Sequence, residues 1–420
     1  MRYDVVIAGG GLAGLTCGIR LQKAGKRCAI VSTGQNAMHF FSGAFGLISR
    51  LPDGKTIESP EDALESLGKD HPYSKIGKSA FRSYAEEARA LLGDCGLTVI
   101  GDSSRNGYTM TASGTLKPAW LVLEDFPYFP DTEPELGKVL IVGISDFLDF
   151  NSDFIATFLS SYGTKCNVRL IATSDTEVLR HSPSEMRSTN IARLMDRPQC
   201  RKTFIDKVKV LSQGYDTVIL PAVFGLSDNY AFKQIRDGLG GIKVIFVGTL
   251  PPSVPGIRSQ MQLKRAFEAT GGTFLMGDSV ISSMIDGDRI VNVTTGNFPD
   301  IPIEAESYVL ATGSYFGHGL VAGKDSIEEP VFGSDVKYST DRNDWYDRDF
   351  FARQPYMGYG VVTDSNFMVS KGGQTIGNLY AVGSVLGGCN PLYEGSGGGI
   401  ALLTALKVSD TILKKYRRND

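Results

Sequence analysis

The chain begins Met1-Arg-Tyr-Asp-Val-Val-Ile-Ala-Gly9-Gly-Gly11-Leu-Ala-Gly14-Leu-Thr-Cys-Gly-Ile-Arg-Leu21, a pattern that predicts a strand, a glycine-rich turn and a helix. Gly9 permits the tight turn, Gly11 lets a phosphate approach the backbone, and Gly14 lets the helix pack on the strand. The phosphate would then meet the N–H groups and the positive dipole end of the helix N-terminus. A second apolar segment at residues 27–31 completes a βαβ unit. The alternative is a glycine-rich turn in some other α/β protein.

The second strand ends without the acidic residue that usually accompanies this turn. Dinucleotide-binding units place Asp or Glu there to hold the ribose hydroxyls of the adenosine half. Here the position is Ser32, and no acid occurs between Gly14 and Asp53. A hydroxyl can still bond a ribose or a phosphate, but it lacks the two acceptor oxygens of a carboxylate. The sequence therefore predicts an intact phosphate site and a weakened adenosine site.

The composition restricts the class of protein. The 420 residues are 42% hydrophobic and 21% charged, with a net charge of −3, which is typical of a soluble globular protein of two or three domains. A nucleic-acid partner would need a basic surface, so none is expected. The six cysteines include no CxxC pair, and we predict no metal site. The sequence predicts no transmembrane segment, because no apolar stretch reaches ~20 residues, and no signal peptide before the first strand.

Three segments together resemble the flavoproteins that contain two dinucleotide-binding domains. They are the N-terminal turn, the strand that ends Ala311-Thr-Gly313, and the later segment Leu379-Tyr-Ala-Val-Gly383. In that superfamily the flavin lies across all three. Four further phrases, at residues 35–43, 251–257, 311–320 and 383–389, resemble the B-subunit family of anaerobic glycerol-3-phosphate dehydrogenases. The similarity spans nearly the whole chain.

The resemblance implies an oxidoreductase subunit. The enzyme of this family oxidises sn-glycerol 3-phosphate to dihydroxyacetone phosphate under anaerobic conditions and passes electrons to menaquinone. The implied partners are the catalytic, FAD-containing A subunit and the iron–sulfur C subunit, and the B subunit is implied to contain FMN. We expect it on the cytoplasmic side of the bacterial inner membrane, peripheral through its partners and soluble when isolated. A cofactor-free scaffolding subunit and a stand-alone flavin oxidoreductase acting on another small molecule are the alternatives.

The predicted fold is α/β, with two domains. Residues 1–70 and 257–420 form a discontinuous Rossmann-like flavin-binding domain with a central parallel sheet, and residues 71–256 form an inserted α+β domain. The proline-rich segment 251–256 is the candidate boundary. A helix is predicted from about residue 257, and a final helix from about residue 400.

The late strand departs from the superfamily at its end. It usually ends Gly-Asp, with the Asp on the ribityl chain, whereas this chain has Gly383-Ser384. Missing acids at Ser32 and Ser384 favour FMN over FAD, which stays the alternative cofactor. The helix that follows would point its N-terminus at the flavin and stabilise the reduced anion by roughly 0.3–2 kcal/mol. The residues predicted to bind the cofactor are Gly9, Gly11, Gly14, Ser32, Ser42, Gly43, Gly313, Gly383, Ser384, Gly398 and Gly399.

His39 is the candidate catalytic residue. It follows the second strand in a loop that can approach the flavin ring in this fold, where an imidazole suits proton transfer. The alternative is a loop histidine whose ring is satisfied by backbone groups.

Overall fold

The protein is described by a computed structural model that covers residues 1–34 and 36–419. Gln35, the first residue of the phrase at 35–43, and Asp420, the last residue of the predicted flavin domain, lie outside the described residues. The α-helices are α1 Leu12–Lys23, α2 Pro60–Ala63, α3 Pro72–Ile76, α4 Lys78–Asp94, α5 Ser152–Ser161, α6 Ser174–Arg180, α7 Ser188–Met195, α8 Pro198–Leu211, α9 Tyr230–Gly238, α10 Val254–Ala269, α11 Pro391–Glu394 and α12 Gly397–Asn419. In this part of the chain, no helix combines the length and the apolar character needed to span a membrane.

The strands are numbered in chain order as well. They are β1 Arg2–Ala8, β2 Cys28–Ser32, β3 Ala44–Phe45, β4 Val99–Gly101, β5 Gly107–Met110, β6 Leu116–Ala119, β7 Leu121–Leu123, β8 Val139–Ile144, β9 Cys166–Ile171, β10 Thr217–Pro221, β11 Lys243–Val247, β12 Thr273–Met276, β13 Val280–Asp286, β14 Arg289–Thr295, β15 Ile303–Leu310, β16 Val321–Ala322, β17 Ile327–Glu328, β18 Val336–Lys337, β19 Gly360–Val361, β20 Met368–Lys371 and β21 Gln374–Ala381. Short 3₁₀ turns at Ala37–Phe40, Tyr315–Gly317 and Gly383–Val385 adjoin the candidate site.

The core of the molecule is a parallel sheet in the order β12-β2-β1-β15-β21. Its central strands are apolar on both faces, as buried parallel strands must be, and Val5, Ile7 and Leu310 have no exposed surface. Strands β14 and β13 extend the sheet in antiparallel fashion beside β15. The predicted central parallel sheet is therefore confirmed, and with it the α/β fold class.

Helix α1 packs against α10 and α12 on one face of this sheet, and α12 also packs against α4. Gly18 allows the first contact, because a Cβ there would lie 2.9 Å from the Phe267 ring of α10 and 3.0 Å from Ile30. The apolar stripe of α12 includes Leu402 and Leu406, both fully buried. Helix α1 also contacts β1 and β2, and α10 contacts β12, so these helices cover part of the sheet.

Within residues 71–256, a second sheet has the parallel order β11-β10-β8-β9, flanked by helices of the same segment. Two smaller antiparallel sheets, β3-β7-β4 and β5-β6, are formed by strands that lie between β2 and β8 in the sequence. Helices α3 and α4, also from residues 71–256, pack on α12. The division into residues 1–70 with 257–420 and 71–256 stays a prediction.

Helix α10 begins three residues before the predicted start. The proline-rich stretch indicated a stiff junction, but its last residues form the first turn of the helix. Ser253 caps this turn by accepting a hydrogen bond from the Gly256 N–H at 3.1 Å. Pro255 falls in the first turn, where a missing N–H costs no helical hydrogen bond.

A buried ion pair connects α10 to two other segments. Arg258 donates to Asp125 at 2.5 Å, and to the carbonyls of Phe224 and Gly225 at 3.1 and 2.7 Å. The side chains of Arg258 and Asp125 are only 2% and 4% exposed. Asp125 follows β7, and Phe224 follows β10 of the second sheet. The Arg258 guanidinium therefore joins α10 to both of these segments.

We expect Asp125→Ala to lower the free energy of unfolding by about 3–5 kcal/mol, because Arg258 would remain buried without a counter-charge. Urea unfolding measures the change. The matched control is Asp206→Ala, which removes the exposed partner of Lys202 and should cost less than ~1 kcal/mol. Equal losses of unfolding free energy in the two variants would show that the buried pair contributes no more to stability than the exposed one.

Candidate flavin site

The candidate site begins where four parallel strands end at one edge of the sheet. Ala8 pairs with Val31 and with Leu310, and Leu310 pairs with Ala381. The backbone continues this row, since the N–H of Gly9 donates to Val31, that of Ala311 to Ala8, and that of Val382 to Leu310. Ligands of open α/β sheets bind in such a crevice at the carboxyl ends of the strands.

The three glycines of the first turn have different surroundings. A Cβ on Gly9 would lie 2.2 Å from the Ala311 carbonyl oxygen, and one on Gly14 would lie 1.9 Å from the Gly9 carbonyl oxygen. These two positions therefore need glycine for packing. Among the described residues the space around Gly11 is open, since the atom closest to its Cβ position is the Asn36 Cβ at 3.9 Å. Gly11 is also the N-cap of α1 and makes no side-chain cap, which leaves the first N–H groups for a ligand.

Ser32 lies at the predicted place but is turned inward. It is 5% exposed, and its hydroxyl accepts a hydrogen bond from the Gly34 N–H at 3.2 Å. A Cβ on Gly10 would lie 2.6 Å from that hydroxyl. The serine thus closes the turn after β2, and no carboxylate replaces the missing ribose ligand at this position.

Gly313 and Ser384 come together across the edge of the sheet. The Cβ position of Gly313 is 3.7 Å from the Ser384 hydroxyl, and Ser384 is exposed. Gly313 and Gly383 have φ values of +84° and +76°, which favour glycine. Beside them the Thr312 hydroxyl is buried and has no hydrogen-bond partner in the described part of the chain. The open position at Gly313 and the exposed Ser384 hydroxyl at one edge fit a phosphate-bearing cofactor.

The loop after β2 returns over the first turn. Asn36 donates to the Gly10 carbonyl at 3.1 Å and caps the 3₁₀ turn Ala37–Phe40 by accepting from the Met38 N–H. The Phe40 ring meets the Phe316 ring edge-on at 4.6 Å between centroids. This contact brings the His39 loop to the segment after Gly313, and the catalytic role of His39 stays a prediction.

His39 is held by a side chain that the sequence did not indicate. Gln260 of α10 donates from Nε2 to the Gly34 carbonyl at 2.9 Å. A carbonyl can only accept, so the Gln260 amide oxygen must face the His39 Nε2, 3.1 Å away. His39 therefore carries a proton on Nε2, and in the neutral ring Nδ1 is the acceptor. The side-chain contact is with an amide rather than with backbone groups.

Ser42 and Gly43 lie on the same loop. Ser42 accepts a hydrogen bond from the Lys117 ammonium group. Gly43 has a φ of +82°, and a Cβ there would lie 2.4 Å from the Phe126 ring. Its carbonyl accepts from the Leu123 N–H at 2.9 Å. The loop is therefore fixed against β7, and Ser42 is directed toward β6.

The N-terminus of α12 packs directly on the segment that follows Gly43. A Cβ on Gly398 would lie 3.0 Å from the Phe45 Cα, and one on Gly399 would lie 2.1 Å from the Tyr73 hydroxyl. The Gly399 N–H donates to the Gly46 carbonyl at 2.7 Å, so it is not available to a flavin. Close packing by itself explains both glycines, and their contact with the cofactor stays a prediction.

A buried carboxylate precedes this helix. Glu394 accepts from the Asn390 N–H at 2.9 Å and from the Ser396 hydroxyl at 3.1 Å, and pairs with His71 Nε2 at 3.2 Å. Burial raises the Glu394 pKa, but the hydrogen bond from His71 and the other donors outweigh burial and hold the pKa below its usual value. The charge lies beside the positive end of α12 and ties α3 to it.

Sequence reasoning missed Gln260, Lys117, Asn36 and the Glu394–His71 pair. Gln260 meets His39 across 221 positions and Lys117 meets Ser42 across 75, and a single sequence contains no signal for such pairings. Asn36 offered a weak one, because Asn often caps short helical turns.

A family model described as an FAD binding domain matches residues 4–400. The B subunit of the anaerobic glycerol-3-phosphate dehydrogenase of Pectobacterium atrosepticum is 42% identical over 419 residues, which is 99% of each chain. The protein of that name from Yersinia pestis is 40% identical over 420 residues, again 99% of each chain. The chain belongs to this family of B subunits. The resemblance seen in the sequence is thus confirmed. The predictions that the chain is an oxidoreductase subunit and that it belongs to a flavoprotein family are confirmed as well.

Solved structures with a similar course of the chain are more distant. The match to a 3-ketosteroid delta1-dehydrogenase from Sterolibacterium denitrificans covers 99% of this chain and 100% of that one, at 10% identity and a TM-score of 0.44. The match to a flavocytochrome c3 fumarate reductase covers 98% of this chain and 78% of that one, at 10% identity and a TM-score of 0.42.

We expect Gly11→Ala to remove flavin binding while it leaves the fold intact. Among the described residues the new methyl group meets no atom closer than 3.9 Å, but it would occupy the space through which a phosphate reaches the α1 N-terminus. Bound flavin, measured from the visible spectrum of the purified protein, should fall by about tenfold or more. The thermal midpoint of the flavin-free protein should stay within ~2 °C of the parent.

Two glycines serve as controls for that variant. Gly14→Ala forces a methyl group onto the Gly9 carbonyl and should lower the thermal midpoint as well. Gly93 lies in α4, with no described atom within 4 Å of its Cβ position. Gly93→Ala should therefore lower neither the bound flavin nor the thermal midpoint. If Gly11→Ala retained full flavin content, the phosphate would not approach at this turn.

The tautomer of His39 is directly testable, since the chain has four histidines. Long-range ¹⁵N–¹H spectra should show the proton of neutral His39 on Nε2, and Gln260→Leu should produce a mixture of tautomers. His71 is the internal control, because its Nδ1 accepts from the Tyr73 N–H at 3.1 Å, a contact that the substitution leaves in place. A proton on Nδ1 of His39 in the parent protein would refute the assigned contact with Gln260.

Proposed function

We propose that the protein is the flavin-containing electron-transfer subunit of an anaerobic, quinone-linked glycerol-3-phosphate dehydrogenase. The names of the relatives identify the enzyme and the subunit position. The observation that carries the proposal is the crevice at the sheet edge, where the open turn at Gly11 and the pair Gly313–Ser384 follow aligned strands.

We propose FMN as the flavin, with FAD as the alternative. Ser32 supports this choice because its hydroxyl is occupied by Gly34 and its side chain is buried. Position 32 itself offers the adenosine half of FAD no carboxylate. The N–H of Asp278 donates to the Ser32 carbonyl at 3.1 Å, and one oxygen of the Asp278 carboxylate is engaged by the N–H groups of Ser279 and Asn297. The α1 N-terminus can still hold a single phosphate through backbone N–H groups. At the other end, Ser384 offers a hydroxyl in place of the usual acid.

A bound flavin supplies one- and two-electron redox chemistry, and the chain supplies position and electrostatics. Gly9, Gly11 and Gly14 would hold the phosphate, and Gly313, Gly383 and Ser384 would lie along the ribityl side. His39 would exchange a proton through Nδ1, because Gln260 holds Nε2 as a donor.

The proposed partners are a catalytic FAD-containing subunit, which oxidises sn-glycerol 3-phosphate to dihydroxyacetone phosphate, and an iron–sulfur subunit that leads to menaquinone. The chain would lie between them, on the cytoplasmic side of the inner membrane. The designation of the relatives as B subunits supports a multi-subunit assembly. A cofactor-free scaffolding subunit is the second candidate, and the inward-turned Ser32 is the observation that favours it.

We expect the purified chain to be yellow, with the visible absorption of an oxidised flavin, and to release FMN on denaturation. Mass spectrometry of the released compound distinguishes FMN from FAD. A matched control is the Gly11→Ala protein, which should be colourless.

Two outcomes would contradict the proposal. A folded chain that takes up neither FMN nor FAD would be a scaffold. Oxidation of sn-glycerol 3-phosphate by the isolated chain, with an artificial electron acceptor and without any partner, would place catalysis in this subunit.

A further inference from the structure

The ammonium group of Lys117 is partly buried and has no counter-charge among the described residues. Lys117 lies on β6, where it pairs with Thr109 of β5, and its residue is only partly exposed. Among the described residues its one hydrogen bond goes to the Ser42 hydroxyl, and it makes no ion pair. Burial lowers the Lys117 pKa, and no carboxylate acts against that shift.

Other cations in similar surroundings are compensated. Lys75 is also partly buried, yet it donates to the carbonyl and hydroxyl of Thr363 at 2.9 Å each. Burial lowers the Lys75 pKa, and the charges of Asp70 and Asp364 act against that effect. Arg258 is buried against Asp125. A partly buried ammonium group that meets a single neutral hydroxyl lacks the anion that usually offsets its desolvation.

The position of the group relates it to the candidate flavin site. Ser42 follows His39 by three residues on the loop that contacts the first glycine turn through Asn36. Gly43, next in the chain, is fixed against Phe126 and Leu123. The Lys117 ammonium group therefore faces the same loop that carries the proposed proton-transfer residue, and it approaches from the β5-β6 sheet rather than from the flavin-binding sheet.

We propose that Lys117 and Ser42 form an anion subsite that takes the phosphate group of a small phosphate monoester beside the flavin site. An ammonium group and a hydroxyl supply donors to a tetrahedral oxyanion, and the anion supplies the missing counter-charge. The inference deepens the proposed function, on which it rests, because it assigns substrate contact to this chain as well as to a partner. A phosphate ester and free inorganic phosphate share the recognised chemistry.

The test is calorimetric titration of the full chain, as purified with its flavin, at constant ionic strength. The probes are sn-glycerol 3-phosphate, inorganic phosphate and glycerol. Both phosphates should bind and glycerol should not, and Lys117→Met should weaken both by about tenfold or more. Lys117→Arg keeps the charge and should retain part of the binding. Tighter binding of the ester than of inorganic phosphate identifies the ester as the ligand.

Stability separates a binding role from a structural one. Without phosphate, Lys117→Met should unfold at the same or a higher temperature than the parent, since an uncompensated buried charge has been removed. Phosphate should then raise the thermal midpoint of the parent but not of Lys117→Met. The matched control is Lys75→Met, which removes a partly buried lysine that already has acceptors, and phosphate binding should persist.

The inference is wrong if the parent protein binds neither phosphate, if it binds only inorganic phosphate, or if Lys117→Met binds the ester as tightly as the parent. A loss of binding in Lys75→Met equal to that in Lys117→Met would likewise overturn it. The flavin spectrum of each sample keeps the two hypotheses apart. A yellow protein without a phosphate site refutes the subsite alone, and a colourless protein that responds as expected at Lys117 refutes the proposed function alone.

Discussion

The parallel register of β1, β2, β15 and β21 is the constraint on which the rest of the structure depends. It aligns Ala8, Val31, Leu310 and Ala381 in one row, and each of these strands continues into a turn of small residues. A slip of one residue would exchange the faces of a strand and also displace its turn from the row. The buried core and the candidate site are therefore specified by the same pairing, which explains how a site contributed by the two ends of the chain can be precise.

Helix α12 supplies the second constraint, since it connects the sheet edge to the loop above it. The Thr404 hydroxyl accepts from the Gly383 N–H at 3.0 Å, and the Gly399 N–H binds Gly46. Ahead of the helix, Glu394 is paired with His71. One rigid element thus positions the end of β21, the end of β3 and the start of α3. Functional groups placed on such supports lose little freedom when a ligand binds.

Local features of the site were predictable, and pairings between distant segments were not. The first βαβ unit could be recognised because its motif is contiguous and part of its packing is local, as the close approach of the Gly14 Cβ position to the Gly9 carbonyl shows. The glycines at 398 and 399 were assigned to the flavin, yet their close contacts are with Phe45 and Tyr73. The start of α10 was misplaced because the prolines outweighed the Ser253 cap. That Gln260 reaches His39 depends on how α10 packs against α1, which no single segment of sequence encodes.

Buried charges in this protein differ in whether the fold provides a counter-charge, and this difference relates the fold to the proposed function. Where a buried charge has only a structural role, the chain supplies a charge of the opposite sign or several hydrogen-bond partners. Arg258 with Asp125 is an example. Removing one partner there leaves an uncompensated charge, so such pairs oppose change. Lys117 is different, because its neighbour on the flavin-side loop is a neutral hydroxyl. A partly buried cation that the described residues leave without an anion lowers stability unless a ligand supplies one. Lys117 lies beside the loop of His39, which is where the proposed phosphate subsite would supply the missing anion.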